Sequence, residues 1–166
     1  MIFFWDCETA SLKPFLPEGR VTIIGIMSET DEVTFFDDPD ETKLLQSFWD
    51  WTREHNQDIL FGFNSILFDF KYCVKRSIVC GVKPYLPFRF KNFDLRNAID
   101  ENRYAEGTLG EICTLINGEH KYEDLSGEEV IKLFHEGNYE KLKLYLTQDL
   151  KMTKILYTRL KECEVI

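Results

Sequence analysis

The chain has 166 residues, of which 44% are hydrophobic and 30% charged, so it is large and apolar enough to form one folded domain around a core. Acidic residues outnumber basic ones by 29 to 20, which argues against a protein that grips duplex nucleic acid through a broad positive surface. No apolar run approaches the ~18 residues of a membrane helix, and the N-terminus lacks the basic segment of a signal peptide. We therefore predict a cytoplasmic protein without a membrane partner.

The first half of the chain combines short apolar runs, typical of strands, with two segments of helical periodicity. We predict strands at residues 2–5, 21–27, 33–36 and 59–63, and helices from Asp40 or Thr42 to about His55 and from about 68 to 76. The first three strands are close in sequence, which indicates an antiparallel meander. The helix between the third and fourth strands implies that the fourth strand lies parallel to the first.

The second half of the chain is mainly helical. Pro84 and Pro87 mark a loop, and residues 93–95 are expected to end a short fifth strand. We predict helices at about 108–117, 127–135 and 139–161, and a polar connection at 118–126 in which Ser126 caps the following helix. Because no repeat or linker divides the chain, residues 1–166 are expected to form a single α/β domain, with a mixed sheet flanked by helices.

The five cysteines, at positions 7, 73, 80, 113 and 163, form no Cys-x-x-Cys pair, and no nearby histidine completes a zinc knuckle. We therefore expect reduced and mostly buried thiols.

Asp6 and Glu8 form the only Asp-x-Glu pattern of the sequence, at the end of the otherwise apolar first strand. Residues two apart on a strand point to the same side, so the two carboxylates are expected to project together. Unpaired buried charges are costly, and a divalent cation would offset that cost. The alternative is that both acids lie just past the strand in solvent.

Asp69 follows the fourth predicted strand and begins a helix. Ligands of open α/β sheets gather outside the carboxyl ends of the strands, so Asp69 could face Asp6 and Glu8. An equally open alternative is that Asp69 only interacts with the positive end of the helix dipole. In the same loop, Asn64 could hold the turn or contact a substrate.

Tyr145 and Asp149 are four residues apart on the last predicted helix, so they share one helix face. The other members of that face are apolar: Leu142, Met152, Leu156 and Leu160. An acid within an apolar stripe is compatible with a ligand role, but also with a boundary residue that reaches water beside a core tyrosine.

The three patterns together, in this order, resemble the DEDD exonucleases of the ribonuclease H-like fold, most closely the proofreading domain of B-family DNA polymerases. Residues 4–9 resemble the first motif of that family, and residues 145–149 resemble the third. Residues 64–69, with Tyr72 and Arg76 downstream, resemble the second. Residues 93–95 and 108–111 stand where the family has its connecting strand and helix. Leu144 occupies the position of the histidine of one subtype, so the chain resembles the tyrosine subtype.

The resemblance implies 3'-5' exonuclease activity, with Asp6, Glu8, Asp69 and Asp149 as ligands of two divalent cations, Mg²⁺ or Mn²⁺. Asp6 would bridge both ions, Glu8 and Asp149 would complete the site of the attacking water, and Asp69 would serve the other ion. Tyr145 would orient the water. The chain has no room for a polymerase, so the resemblance implies a stand-alone relative.

The expected partner is the 3' end of single-stranded nucleic acid, with DNA favoured over RNA, and a replication or repair protein is a further expected partner. Candidate substrate contacts are Thr9, Asn64 and Phe68, and candidate base-stacking residues are Phe15, Phe70 and Phe90. Basic residues that could contact phosphates are Lys13, Lys71, Arg76 and Lys91.

Two alternatives to a deoxyribonuclease stay open from the sequence. The first is an exoribonuclease with the same site, and the second is a non-catalytic scaffold that kept the fold. The sequence leaves the oligomeric state open.

Overall fold

A five-stranded mixed sheet forms the centre of the structure, a computed structural model that describes residues 1–100, 107–117 and 127–166. Its strands are β1 (Ile2–Thr9), β2 (Val21–Ser28), β3 (Val33–Phe36), β4 (Ile59–Gly62) and β5 (Asn92–Asp94). They lie in the order β3-β2-β1-β4-β5. β1, β2 and β3 pair antiparallel, whereas β4 pairs parallel with both β1 and β5. The predicted mixed sheet, with three antiparallel strands followed by parallel ones, is confirmed.

Six helices and one 3₁₀ turn accompany the sheet in the described part of the chain. The helices are α1 (Glu41–Glu54), α2 (Asp69–Cys80), α3 (Leu95–Ile99), α4 (Leu109–Asn117), α5 (Gly127–His135) and α6 (Tyr139–Glu162), and the turn is Leu86–Phe90. Among these described helices, none is both long and apolar enough to cross a membrane.

The side chains of β1 alternate between two hydrophobic cores, one on each face of the sheet. Trp5 belongs to the core beneath α1 and α2, where its ring stacks on Phe48 with centroids 5.7 Å apart. Phe4 belongs to the opposite core, beneath α6. The same alternation directs Asp6 and Glu8 to the α6 side, because they follow Phe4 at intervals of two.

Gly25 allows α6 to lie close to the sheet. It is paired with Asp6 across the β1–β2 ladder. A Cβ atom at this position would lie 2.9 Å from Cδ2 of Leu146 and 3.0 Å from Cδ1 of Leu150, both of which project from α6. These distances are too short for an ordinary contact, so the absence of a side chain at Gly25 sets the separation between α6 and β1–β2.

Several element boundaries differ from the prediction. β1 continues to Thr9, although the apolar run ends at Trp5, because strand pairing uses the backbone and tolerates polar side chains. α2 continues to Cys80 and ends at Gly81, whose φ of 70° suits a left-handed helix cap.

The region around β5 also contains two elements that were not predicted. The turn Leu86–Phe90 occupies the expected loop, and α3 begins directly after β5 because Asp94 accepts a hydrogen bond from the backbone N–H of Arg96. The predicted connection at 118–126, with its Ser126 cap, lies outside the described residues. The cysteines are all free; Cys7, Cys73 and Cys113 are buried, whereas Cys163 is exposed.

A buried ion pair connects the helices on the α1–α2 face. Glu41 accepts hydrogen bonds from Nε and one terminal nitrogen of Arg76, at 3.0 and 2.7 Å. Glu41 also accepts the backbone N–H of Val21 at 2.7 Å, and Arg76 donates to the carbonyl of Pro14 at 2.7 Å. The prediction that Arg76 could contact phosphates is therefore wrong, because its guanidinium is committed to Glu41 and to the β1–β2 loop.

Replacing Arg76 with methionine should lower the free energy of unfolding by about 3–5 kcal/mol, because it leaves the Glu41 carboxylate buried without its partner. Urea unfolding measures this difference. The matched control is Arg159→Met, which removes an exposed pair with Glu162 and should cost less than about 1 kcal/mol. Equal losses in the two variants would contradict the role assigned to the buried pair.

Candidate metal centre and active site

Asp6 and Glu8 lie where β1 extends past its parallel neighbour. The pairing between β1 and β4 ends at Phe4 and Phe61, whereas the pairing with β2 continues through Asp6 and Glu8. Both acids are therefore part of a strand, and both are half-buried. The alternative that they lie past the strand in solvent is wrong.

Asp149 approaches this pair from α6. It is buried at 9% exposure, and the buried residues Leu146 and Leu150 lie close to it along the same helix. One carboxylate oxygen from each of Asp6, Glu8 and Asp149 lies within 4.8 Å of the others. Residues from opposite ends of the chain thus present three oxygen donors to one small volume.

Asp69, at the start of α2, is not one of these three acids. It is buried at 3% exposure, and its Oδ1 lies 3.1 Å from Sγ of Cys7, which donates a hydrogen bond to it. Asp69 is nevertheless close enough to act electrostatically on Asp6, because its charge contributes to the raised pKa of that residue. The structure therefore brings Asp6, Glu8 and Asp149 together and places Asp69 beside them.

The electrostatics of the site oppose ionisation of its carboxyl groups. Burial raises the pKa of Asp6 well above its ordinary value, and the negative charges of Asp69, Glu8 and Asp149 raise it further. Burial also raises the pKa of Asp69 to about 7, although the hydrogen bond from Cys7 lowers it in part. A divalent cation would relieve this repulsion, and carboxylate oxygens are the donors that Mg²⁺ and Mn²⁺ prefer. The residues present thus fit such an ion.

Tyr145 lies one helical turn before Asp149 on α6 and is half-buried. It packs against a small cluster formed by Val130 and Leu133 of α5 with Leu142 of α6. Helix α5 therefore supports the side of α6 that carries Tyr145.

Asp94 organises the loop between β4 and α2, a role that was not predicted from the sequence. Its buried carboxylate accepts the backbone N–H groups of Asn64 at 2.8 Å, Ile66 at 3.0 Å and Arg96 at 3.0 Å. These bonds hold Asn64 in a left-handed conformation, with φ of 59°, just before the helix that begins at Asp69. The signal in the sequence was an acid at the end of a strand and directly before a helical segment.

The candidate substrate contacts have different surroundings. Thr9 is buried at the end of β1, where the register with β2 shifts, and Phe68 is half-buried with its ring 5.7 Å from that of Tyr72. Of the candidate stacking residues, Phe15 and Phe90 are exposed. Phe70 is buried in the core beneath α1 and α2, so its predicted stacking role is wrong.

The raised pKa values imply that the metal-free protein loses stability as pH rises. In the unfolded chain a carboxyl such as Asp69 ionises near 3.8, but in the folded protein its pKa is about 7. Between these values the folded state binds more protons, so the free energy of unfolding should fall from pH 5 to pH 8. Urea unfolding in EDTA at both pH values measures the change.

The control for this prediction is Asp69→Asn, which cannot titrate at this position and should lose less stability between the two pH values. Adding Mg²⁺ at pH 8 should restore stability to the wild-type protein. An identical pH dependence in the two proteins would show that Asp69 does not carry a raised pKa.

Comparison with solved structures finds the same fold in a family B DNA polymerase from the hyperthermophilic archaeon Pyrobaculum calidifontis, with a TM-score of 0.79 and 18% sequence identity. The similarity covers 99% of this chain and 25% of the polymerase, so the chain spans about a quarter of the polymerase's length. No curated protein matches the sequence. The family model of the RNase H superfamily matches residues 3–161, which is nearly the whole chain. The chain therefore belongs to the RNase H superfamily.

Proposed function

We propose that the protein is a metal-dependent 3'-5' exonuclease that removes nucleotides from the 3' end of single-stranded DNA. Membership of the RNase H superfamily supports nuclease activity and nucleic-acid binding, and nucleases of this kind generally use divalent metals. The observation that carries the finer proposal is the convergence of Asp6 and Glu8 of β1 with Asp149 of α6. These acids belong to the segments that resemble the first and third motifs of the DEDD exonucleases.

Four carboxylates would hold two cations in this proposal. Asp6, Glu8 and Asp149 would bind one ion through oxygens that already lie within 4.8 Å of one another. Asp69 would bind the second ion together with Asp6. Two bound divalent cations lower the pKa of a water molecule and stabilise negative charge on the leaving oxygen.

Tyr145 would orient the attacking water through its hydroxyl group. Its position one turn before Asp149 places both side chains on the same face of α6. Packing against α5 restricts the ring, so its hydroxyl has few orientations available.

The proposed substrate is a strand end rather than a duplex. The net charge of -9 leaves little positive surface for a long duplex, whereas bound cations would supply positive charge at the site itself. Thr9, Asn64 and Phe68 belong to the motifs that contain Asp6 and Asp69, and we propose that they contact the terminal nucleotides. The similarity of the motifs to a proofreading domain favours DNA, and makes a replication or repair protein the proposed partner.

Exonuclease activity should depend on Asp6. With a 5'-labelled single strand of DNA and Mg²⁺ or Mn²⁺, the wild-type protein should produce a descending ladder, and EDTA should abolish it. Asp6→Asn should reduce activity to background, since it removes a charge shared by both proposed ion sites. The matched control is Asp50→Asn, which changes an exposed acid of α1 and should leave activity unchanged.

Substrate choice and polarity are tested in the same assay. A strand that carries a 3' phosphorothioate linkage should resist digestion, and RNA of the same sequence should be degraded more slowly than DNA. Faster digestion of RNA would instead support the exoribonuclease. Activity that persists in EDTA or in Asp6→Asn would refute the proposed mechanism.

Tyr145→Phe should lower the turnover number by about 100-fold, because a poorly aligned water attacks slowly. Metal affinity, measured by calorimetry with Mn²⁺, should stay close to that of the wild-type protein. The control is Tyr157→Phe, which removes a hydroxyl from the same helix, where the ring packs against Phe4 and Phe61. Equal turnover in Tyr145→Phe and the wild-type protein would exclude Tyr145 from the reaction.

A further inference from the structure

Cys7 lies between Asp6 and Glu8 in sequence, but its side chain belongs to the opposite face of the sheet. It is buried at 5% exposure in the core beneath α1 and α2. Its Sγ lies 3.1 Å from Oδ1 of Asp69, the first residue of α2. A hydrogen bond between two buried side chains therefore joins the strand that carries two of the acids to the helix that carries another.

We propose that Cys7 is a positioning residue, whose thiol fixes the carboxylate of Asp69 in the orientation that binds the second cation. This inference rests on the proposed function. The hydrogen bond from Cys7 is a contact that Asp69 makes in addition to any with the group formed by Asp6, Glu8 and Asp149.

The thiol itself is held in place by α2. Cys73 follows Asp69 by one helical turn and is fully buried, so Asp69 and Cys73 present neighbouring side chains to β1. Cys7 and Cys73 are both buried in the core beneath α1 and α2, and the Cys7 thiol donates its hydrogen bond to Asp69. Burial in this core leaves the sulfur little freedom, which makes it a suitable donor for orienting a ligand.

The proposal is tested with three substitutions at Cys7. Cys7→Ala removes the hydrogen-bond donor, and Cys7→Val removes it while filling the space of the thiol. Cys7→Ser keeps a hydrogen-bond donor, although its side chain is nearly as small as that of alanine. Hydrogen-bond partners of metal ligands typically contribute 10- to 100-fold in affinity or activity. We therefore expect the alanine and valine variants to bind one of two Mn²⁺ ions about 10- to 100-fold more weakly. The serine variant should recover most of this loss.

Kinetics separate positioning from a general effect on folding. In Cys7→Ala and Cys7→Val, kcat should fall and the Mn²⁺ concentration for half-maximal rate should rise, while KM for the DNA strand stays constant. The matched control is Val82→Ala, which shortens a buried side chain of the same core but leaves the contact between Cys7 and Asp69. This control should bind both Mn²⁺ ions with affinities close to those of the wild-type protein.

The outcomes separate this inference from the proposed function. If the wild-type protein binds two Mn²⁺ ions and is active, but Cys7→Val binds them equally well, Cys7 has no positioning role and the exonuclease proposal stands. Equal weakening in Val82→Ala and Cys7→Ala would assign the effect to core packing and overturn the inference. A wild-type protein that binds no Mn²⁺ would overturn both.

Discussion

The close approach of α6 to the sheet is the constraint on which the candidate site depends. Asp149 meets Asp6 and Glu8 only because α6 lies directly against the β1–β2 ladder, and Gly25 provides the room for Leu146 and Leu150. Gly25 is also the residue paired with Asp6. β2 thus acts on the site in two ways. Gly25 sets how close α6 lies to the sheet, and its pairing with Asp6 fixes the position of Asp6. Elsewhere, α6 buries a largely apolar face on the same core, which fixes its rotation.

Carboxylates held in this way are unfavourable for the folded protein in the absence of cations. Burial and repulsion by neighbouring acids raise the pKa values of Asp6 and Asp69, so the folded protein holds these carboxylates close together at a cost in stability. Hydrogen bonds offset part of this cost at Asp69, through Cys7, and at Asp94, through three backbone N–H groups. The surrounding cores supply the remaining stability, as expected for a site built for ligand binding rather than for stability.

Much of the fold could be predicted from the periodicity of the sequence, whereas the set of candidate site residues came from the resemblance of three motifs to a known family. The spacing of Asp6 and Glu8 predicts one side of a strand, and the spacing of Tyr145 and Asp149 predicts one face of a helix. What the sequence could not supply was the contacts between distant segments. Burial of Phe70 and the pairing of Arg76 with Glu41 depend on how α1 and α2 pack on the sheet. The roles of Asp94 and Cys7 depend on side chains that meet only after the strands are in register.

The arrangement of the three clustered acids along the chain has a consequence for assembly. Asp6 and Glu8 belong to the first strand and Asp149 to the last helix, so no stretch shorter than residues 6–149 contains all three acids. Contacts between such remote segments carry the largest loop-closure entropy and form late in folding. A cation bound by all three carboxylates would therefore link the first strand to the last helix. Its release would remove this link between two remote segments of the chain.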